Sequence, residues 1–219
     1  MIRAAILLFL PLFVTVGAAQ TPTVTQAPVS PPSELAPAIA GALGSDVTTV
    51  TTGSAVLEFW LVKALELAHA PAPDALSWSD VPEGALVGAL RVGSSWADIR
   101  GFTIRPGVYT LRFARQPQNG DHMGISPYRE FLLPGPAAED TAVAPVGYDG
   151  AVELARKVSR RAHPASISLD PPVSPAEPGT VTTSDLGHQV VILRVPVTFD
   201  GTPAGHLTFG VVVQGTIDN

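Results

Sequence analysis

Residues 191–213 read VILRVPVTFDGTPAGHLTFGVVV, and this stretch decides the fold. Apolar side chains occupy every second position on both sides of GTPAG, residues 201–205, which predicts two β-strands joined by a turn. We expect Phe199 to pair with Leu207, because that register places both apolar sets on one face and a shift by one residue would expose one of them. The pattern therefore predicts an antiparallel hairpin whose apolar face lies in the core.

Other segments of the chain also have strand character. Residues 108–114 and 130–133 predict two strands, and DVTTVTTGSA at residues 46–55 predicts a strand that leads into a turn. The segment that follows, AVLEFWLVKALEL at residues 55–67, fits both an alternating strand and a helical stripe. Its aromatic and β-branched residues favour the strand. Most of the chain is thus predicted to be β.

Two helices are predicted beside the strands. Residues 149–161 place apolar side chains on one face and basic ones near the C-terminal end, with Asp149 as the expected N-cap. The basic residues there are Arg156, Lys157, Arg160 and Arg161. We interpret this cluster as a solvated face. A shorter helix is expected over residues 34–43, capped by Ser33 and ended by Gly44. The predicted fold is mainly β, an antiparallel β-sandwich of jelly-roll or immunoglobulin-like type with one or two peripheral helices.

The N-terminal residues 1–19, MIRAAILLFLPLFVTVGAA, have the layout of a secretory signal peptide. A basic residue precedes an apolar run and small residues follow it, so we expect cleavage before Gln20. The run is short for a transmembrane helix, which needs about 20 apolar residues, and a retained anchor is the alternative. We therefore expect a periplasmic or secreted protein with no stable membrane span after cleavage. Residues 20–33, rich in Pro and Thr, predict an extended tether, and residues 34–219 predict a single β-sandwich domain.

Charge and cysteine content argue against several classes of protein. The chain has 13 Lys and Arg against 19 Asp and Glu, for a formal net charge of −6. A nucleic-acid-binding domain has a basic face or stripe instead, so we expect no nucleic-acid partner. The sequence contains no cysteine, which excludes disulfides, thiolate catalysis and thiolate metal ligands. Stability must therefore come from the burial of apolar surface.

The most distinctive block is residues 98–140. It contains R-G-x-x-I-x-P-G-x-Y-T-L-R, residues 100–112, followed by N-G-D-H-M-G-I-S-P-Y-R-E-F-L-L, residues 119–133. These motifs resemble those of uncharacterised secreted bacterial β-sandwich proteins, a domain of unknown function, and the resemblance is strongest over residues 54–140. It implies the β-sandwich fold and export, and it carries over no functional residues.

A candidate site lies in the loop at residues 116–129, because long loops in compact domains often carry function. Asp121 and His122 are the candidate metal ligands there, with His122 also a candidate general base. The structural alternative is that both side chains hydrogen-bond to backbone groups and hold the shape of the loop. Tyr128 and Arg129, at the end of the loop, are further candidate binding residues.

Aromatic residues near predicted loops offer a second kind of site. Trp78, Trp96 and Tyr128 would line a recognition surface if they were exposed, and would otherwise belong to the core. The sequence has no G-x-S-x-G elbow, glycine-rich phosphate loop or dinucleotide fingerprint.

The function predicted from the sequence is that of an exported, non-enzymatic β-sandwich protein, a binding or accessory module of the cell envelope. Its expected partners are envelope or extracellular proteins or glycans, and no cofactor is expected. The alternative is a metal-dependent enzyme or metal-binding protein that holds a divalent metal in the 116–129 loop around His122.

Overall fold

The computed structural model describes residues 21–72, 76–117, 128–172 and 177–216. The predictions on residues 1–19, on Asp121 and on His122 therefore lie outside the described residues. The described chain is mainly β. Its strands are β1 (Thr23–Pro28), β2 (Leu43–Thr51), β3 (Val56–Val62), β4 (Leu65–Glu66), β5 (Leu86–Val92), β6 (Trp96–Ala97), β7 (Thr103–Ile104), β8 (Gly107–Arg115), β9 (Glu130–Pro136), β10 (Ile167–Asp170), β11 (Val181–Thr183), β12 (Gln189–Phe199) and β13 (Thr202–Gln214). Its helices are α1 (Pro37–Ala42) and α2 (Gly147–Ser159), with a 3-10 turn at Trp78–Asp80.

Most of the strands belong to one curled sheet. Ten of them follow one another in the order β1-β2-β3-β5-β8-β9-β10-β13-β12-β11, and β4 pairs in parallel with β12. Strand β10 forms the corner, because Ile167 and Ser168 pair with β9 whereas Leu169 and Asp170 pair with β13. The strands on both sides of this corner contribute to one apolar core. Strands β6 and β7 form a separate two-stranded ribbon.

The C-terminal hairpin is confirmed, although its register differs from the predicted one. Leu207 lies opposite Val195 rather than Phe199. The turn is Asp200 and Gly201, with φ angles of 50° and 69°, rather than the five-residue GTPAG. Positive φ at both positions is the geometry of the two-residue hairpin turn that Asp-Gly favours. The register differs by an even number of positions, so the predicted side chains still face the core.

The ambiguous segment at residues 55–67 is a strand, as its residue types favoured. It forms β3 and β4 with a short break between them. Leu57 and Phe59 are buried on one face of β3, and Trp60 is buried on the other. Trp60 Nε1 donates to the Val29 carbonyl oxygen at 2.9 Å. The chain before α1 therefore covers the second face of β3, which explains why the apolar run is continuous rather than strictly alternating.

The Pro- and Thr-rich residues 20–33 do not form a free tether over their whole length. Residues 23–28 are strand β1, paired antiparallel with β2 from Thr23 opposite Thr51 to Pro28 opposite Asp46. Val and Thr favour extended backbone, and β1 is an edge strand, where a proline removes no ladder hydrogen bond. The tether prediction is wrong for these six residues.

Both predicted helices exist with shifted ends. Helix α2 has Val146 at its N-cap without a side-chain cap, so the N-cap prediction for Asp149, which lies in the first turn, is wrong. Helix α1 begins only at Pro37, three residues later than predicted, and Gly44 lies in β2 instead of ending the helix. Within the described ranges, neither of these helices is long and apolar enough to cross a membrane.

Candidate functional site

A groove of about 830 Å³ runs along one side of helix α2, on the outer face of the curled sheet. We call it the α2 groove. Strands β9 and β10 form its floor, α2 forms one wall and the turn after β6 forms the other. The lining residues are Ile99, Arg100, Phe102, Gln116, Pro117, Tyr128, Glu130, Phe131, Tyr148, Asp149, Val152, Glu153, Arg156, Ala162, His163, Pro164, Ser166 and Ser168. Apolar surfaces and a few charged groups thus meet in one concavity, which is typical of ligand sites.

Small residues on α2 let the helix lie close to the sheet. Ala151 and Ala155 are fully buried and belong to a small cluster with Ala114 and Leu133 of the sheet. This contact orients the next helical face, which includes Val152, toward the groove. The charge along that face changes from acidic, at Asp149 and Glu153, to basic, at Arg156. The groove therefore has an acidic end near the start of α2 and a basic end beyond its last turn.

The opposite wall is a turn built around Asp98. One carboxylate oxygen, Oδ1, accepts hydrogen bonds from the backbone N–H groups of Arg100 and Phe102, both at 2.9 Å. The other, Oδ2, accepts from Arg100 Nε at 3.3 Å and Nη2 at 3.0 Å. Arg100 Nη2 also donates to the Pro164 carbonyl oxygen at 3.1 Å. The side chain of Asp98 is 1% exposed and that of Arg100 is 26% exposed. A buried carboxylate thus fixes the direction of a guanidinium that reaches the groove.

Further cations surround the basic end. The guanidinium carbon of Arg100 lies 4.9 Å from the centre of the Phe102 ring, and that of Arg161 lies 5.0 Å from it. Arg156 Nε donates to the Ala162 carbonyl oxygen at 3.1 Å. Arg156 also pairs with Glu153 at 3.7 Å, where both side chains are at least half exposed. This cluster was interpreted as a solvated face, and Arg156 is the member that lines the groove.

Two tyrosines also line the groove, Tyr148 in the first turn of α2 and Tyr128 before β9. Burial raises the pKa of Tyr148, and the negative charges of Glu83 and Asp149 act in the same direction. Tyr148 therefore keeps its hydroxyl proton at neutral pH and is able to donate a hydrogen bond. Glu130 pairs with Arg115 at 3.8 Å on the neighbouring strand.

The predicted binding residues do not all line the groove. Tyr128 lines the groove, whereas Arg129 closes the base of the 116–129 loop. Arg129 Nη2 donates to the Gln116 carbonyl oxygen at 2.8 Å, and Gln116 N donates to the Arg129 carbonyl oxygen at the same distance. Asp121 and His122 lie outside the described residues, so the prediction of a site at those two positions stays a prediction.

Of the two tryptophans proposed for a recognition surface, Trp96 belongs to the core, and Trp78 is half-buried and packs against the core. Trp96 is 4% exposed, and its Nε1 donates to the Val213 carbonyl oxygen at 2.8 Å. Trp78 stacks on Phe113 with ring centres 4.6 Å apart and meets Phe209 edge-on at 5.1 Å. Neither indole lines the groove.

His188 lies outside the groove, in a buried contact that the sequence analysis did not predict. His188 Nδ1 lies 2.9 Å from Asp170 Oδ2, and both side chains are almost fully buried. His188 Nε2 lies 3.4 Å from the Thr216 carbonyl oxygen. The pair ties the end of β10 to the start of β12, which is a structural role. In the part of the chain that the structure describes, no three His, Asp or Glu side chains come together to hold a metal ion.

Comparisons with protein-family models, with curated proteins and with solved structures found no match to this chain. The resemblance to secreted bacterial β-sandwich proteins therefore stays a prediction. The groove residues Arg100, Phe102, Tyr148 and Arg156 were not selected from the sequence as a site. The available signal was the short spacing of Asp98 and Arg100 before Phe102, which allows one carboxylate to organise a turn and a guanidinium together.

Proposed function

We propose that this chain is an exported, non-enzymatic binding module of the cell envelope and that it holds its ligand in the α2 groove. The observation that supports this most directly is the Asp98–Arg100 turn. The buried Asp98 carboxylate accepts hydrogen bonds from the backbone of its own turn and from the Arg100 guanidinium. That guanidinium lines a groove whose volume is typical of ligand sites. Preorganised polar groups in an apolar concavity are the usual elements of a recognition site.

The contacts along the groove favour binding over catalysis. Arg100 donates to Asp98 and to the Pro164 carbonyl oxygen, and Arg156 donates to the Ala162 carbonyl oxygen and forms an ion pair with Glu153 at 3.7 Å. Each of these contacts holds a guanidinium in place. General acid–base chemistry would have to use one of the proton acceptors of the groove, and two of these, Glu130 and Glu153, already face arginines, Arg115 and Arg156. Fixed guanidiniums supply charge and hydrogen-bond donors instead, which suits recognition of an anionic group.

The proposal of export is based on the signal-peptide layout of residues 1–19. The proposal of a sandwich is based on the residues that form the core. We regard the curled sheet as a sandwich variant in which β10 joins two packed arms. This is supported by the shared core, to which β3, β5 and β8 contribute on one side and β12 and β13 on the other. An external partner, an envelope protein or glycan, fits a groove on the outer face of such a sheet.

Cosedimentation with insoluble cell-envelope material tests the proposal. Purified protein is expected to sediment with the material, and Ser168→Trp, which fills the floor of the groove, is expected to stay in solution. Thr208→Trp is the matched control, because Thr208 lies on β13 and does not line the groove. Equal sedimentation of all three proteins, or none for the wild type, would contradict the proposal.

Export is tested separately. A bacterial host that makes the chain with its own first 19 residues should deliver a protein that begins at Gln20 outside the cytoplasm, as shown by its intact mass. Full-length protein retained in the cytoplasm would contradict export without bearing on the groove.

A further inference from the structure

We infer that the α2 groove recognises a sugar ring that carries a carboxylate, so that the ligand is an acidic oligosaccharide. This inference rests on the proposed function, since it names the ligand class of the same groove. Three observations support it: the Nη1 group of Arg100, the arginines at one end of the groove, and the paired strands β9 and β10 that form the floor.

Arg100 has hydrogen-bonding capacity to spare. Within the described residues its bonds to Asp98 and Pro164 use Nε and Nη2. The two N–H groups of Nη1 are therefore available to a ligand. Arginine binds carboxylates with high geometric specificity because its donors lie in one plane, and here the plane is fixed before any ligand arrives. A ligand carboxylate can reach Nη1 from the solvent side, since 26% of the Arg100 side chain is exposed.

The charge around Arg100 is locally opposite to that of the whole chain. The formal net charge is −6, yet Arg100 and Arg156 line the same end of the groove. Arg161 lies next to them against the Phe102 ring. The acids of the groove, Asp149, Glu130 and Glu153, come from the start and middle of α2 and from β9. Glu153 pairs with Arg156 and Asp98 pairs with Arg100, so among the described residues of this end the charge of Arg161 is in excess. A cationic end in an acidic protein is complementary to an anionic ligand group.

The floor distinguishes a sugar from an extended peptide. A peptide gains most of its main-chain hydrogen bonds from a free strand edge. Strand β9 is paired on both sides, with β8 and with β10. Strand β10 is paired with β9 through its first two residues and with β13 through its last two. The floor therefore offers no continuous free edge.

The side chains on the floor and walls match the surface of a sugar. Ser166 and Ser168 present hydroxyl groups, and Asp149 and Glu130 present carboxylates that accept hydrogen bonds from sugar hydroxyls. Phe131, Phe102 and the two tyrosines supply apolar and aromatic surface for the ring faces. A volume of about 830 Å³ lies within the range of small-ligand sites, about 300–1,000 Å³. The groove thus suits a short oligosaccharide rather than a folded protein surface.

Calorimetric titration of the purified protein tests the inference with four probes. Two are acidic, the tetramers of galacturonate and of mannuronate. The third is the methyl ester of the galacturonate tetramer, which differs from the first only in its carboxylates. The fourth is tetraglutamate, which carries carboxylates on a peptide. We expect at least one acidic tetramer to bind, with the ester and the peptide at least about tenfold weaker, as the loss of a charged hydrogen bond implies.

Three variants locate the binding. Arg100→Gln and Arg156→Gln should each weaken binding of the acidic tetramer at least about tenfold, the loss expected for one charge-assisted hydrogen bond. Arg156 serves as the second variant because its half-exposed side chain is replaced without disturbing the Asp98 turn. Arg194→Gln is the matched control, since Arg194 is exposed on β12 and removes the same charge away from the groove. Thermal melts of each variant show that it is folded.

The outcomes separate the ligand class from the groove itself. Binding of the methyl ester as tightly as the acid would overturn carboxylate recognition. Binding of tetraglutamate without either tetramer would overturn the sugar while leaving the groove as the site. Absence of binding by both acidic tetramers, or equal loss in Arg194→Gln, would overturn the inference, and envelope cosedimentation would then decide the proposed function independently.

Discussion

Two arginine–aspartate pairs in this molecule use the same chemistry for different ends. Arg112 on β8 is completely buried against Asp140, with Nη2 to Oδ1 at 2.6 Å and Nε to Oδ2 at 2.7 Å. Its remaining donors go to three carbonyl oxygens, those of Gly84, Ala142 and Ala144. Arg100 is also held by an aspartate, yet its side chain stays partly exposed and lines the α2 groove.

The difference lies in how many donors the protein itself uses. All three guanidinium nitrogens of Arg112 donate to protein acceptors, so this side chain pins the loop between β9 and α2 and has nothing left for a ligand. Within the described residues, Arg100 uses two of its three guanidinium nitrogens. An arginine–aspartate pair is therefore structural where protein acceptors take every donor of the guanidinium, as for Arg112. It is available for recognition where a donor remains for a ligand, as for Arg100.

The largest effect is expected for Arg112→Met. It leaves Asp140 buried with Thr110 as its remaining side-chain partner, at 2.5 Å. It also removes the arginine donor from three carbonyl groups, of which that of Gly84 still accepts from Val146 N at 3.2 Å. Breaking a buried ion pair in this way costs about 3–5 kcal/mol. Chemical denaturation measures the free energy of unfolding. Arg194→Met, at an exposed arginine, should change it by less than about 0.5 kcal/mol. A loss below about 1 kcal/mol for Arg112→Met would remove the distinction between the two pairs.

Gly84→Ala should destabilise the same pinned region by a smaller amount. Gly84 has φ of 75°, and an added Cβ would lie 2.4 Å from the backbone of Gly147 at the start of α2. Backbone strain of this kind costs about 1–3 kcal/mol. Gly41→Ala in α1 is the control, because a Cβ there meets nothing within 4 Å and alanine favours a helix. Equal melting temperatures for both variants would show that the contact between Gly84 and Gly147 is unimportant for stability.

Arg100→Gln should cost less stability than either change, about 1 kcal/mol. Asp98 keeps its two backbone N–H donors, both at 2.9 Å, so its carboxylate is not left unpartnered. Denaturation of Arg100→Gln and Arg112→Met under one set of conditions gives the comparison directly. A loss for Arg100→Gln as large as that for Arg112→Met would mean that the Asp98 turn is structural, like the buried pair.

The smallest expected effect concerns Glu83, which precedes Gly84 and lies close enough to Tyr148 to influence its pKa. Burial raises the pKa of Glu83 above 4.5, although the Arg115 backbone N–H and the charges of Arg115 and Arg129 oppose this. The folded state therefore disfavours the carboxylate, and the resulting penalty is present above the folded pKa and absent below the ordinary value.

Glu83→Gln should consequently raise the melting temperature slightly at pH 7, by the equivalent of about 0.5 kcal/mol or less. The difference from the wild type should vanish well below pH 4.5, where the wild-type carboxyl is protonated in both states. Melts across this range are the measurement. A variant that is less stable at pH 7 would show that the hydrogen bond from Arg115 N, at 3.0 Å, outweighs the cost of burial.

The fold could be predicted from the sequence where a single strand or helix contains its own signal. The alternation in β12 and β13 identified the core hairpin, and the residue types at 55–67 favoured the strand that is observed. The register and the turn of the hairpin were wrong, because an even shift preserves the apolar faces and only the backbone of Asp200 and Gly201 selects one turn. The sequence did not predict a strand at residues 23–28, because their Pro- and Thr-rich composition indicated a tether. They form a strand because they pair with β2.

The site was less predictable than the fold. Tyr128 was selected and lines the groove, and Arg129 was selected and instead holds the base of its loop. Trp78 and Trp96 were candidates for a surface, yet Trp96 is packed in the core and the half-buried Trp78 stacks on the core residue Phe113. Whether an aromatic or charged side chain faces a ligand or another residue depends on neighbours from distant parts of the chain.

The sequence by itself determined the β-rich character of this protein, its two helices and its apolar faces, because periodicity and residue type act within a few neighbouring positions. Only the tertiary structure decided the roles of the two arginines. The acceptors that saturate Arg112 lie 28 to 32 residues away in the chain, and the carbonyl that helps to orient Arg100 lies 64 residues away. The number of donors left for a ligand is a property of those long-range contacts, which no local pattern encodes.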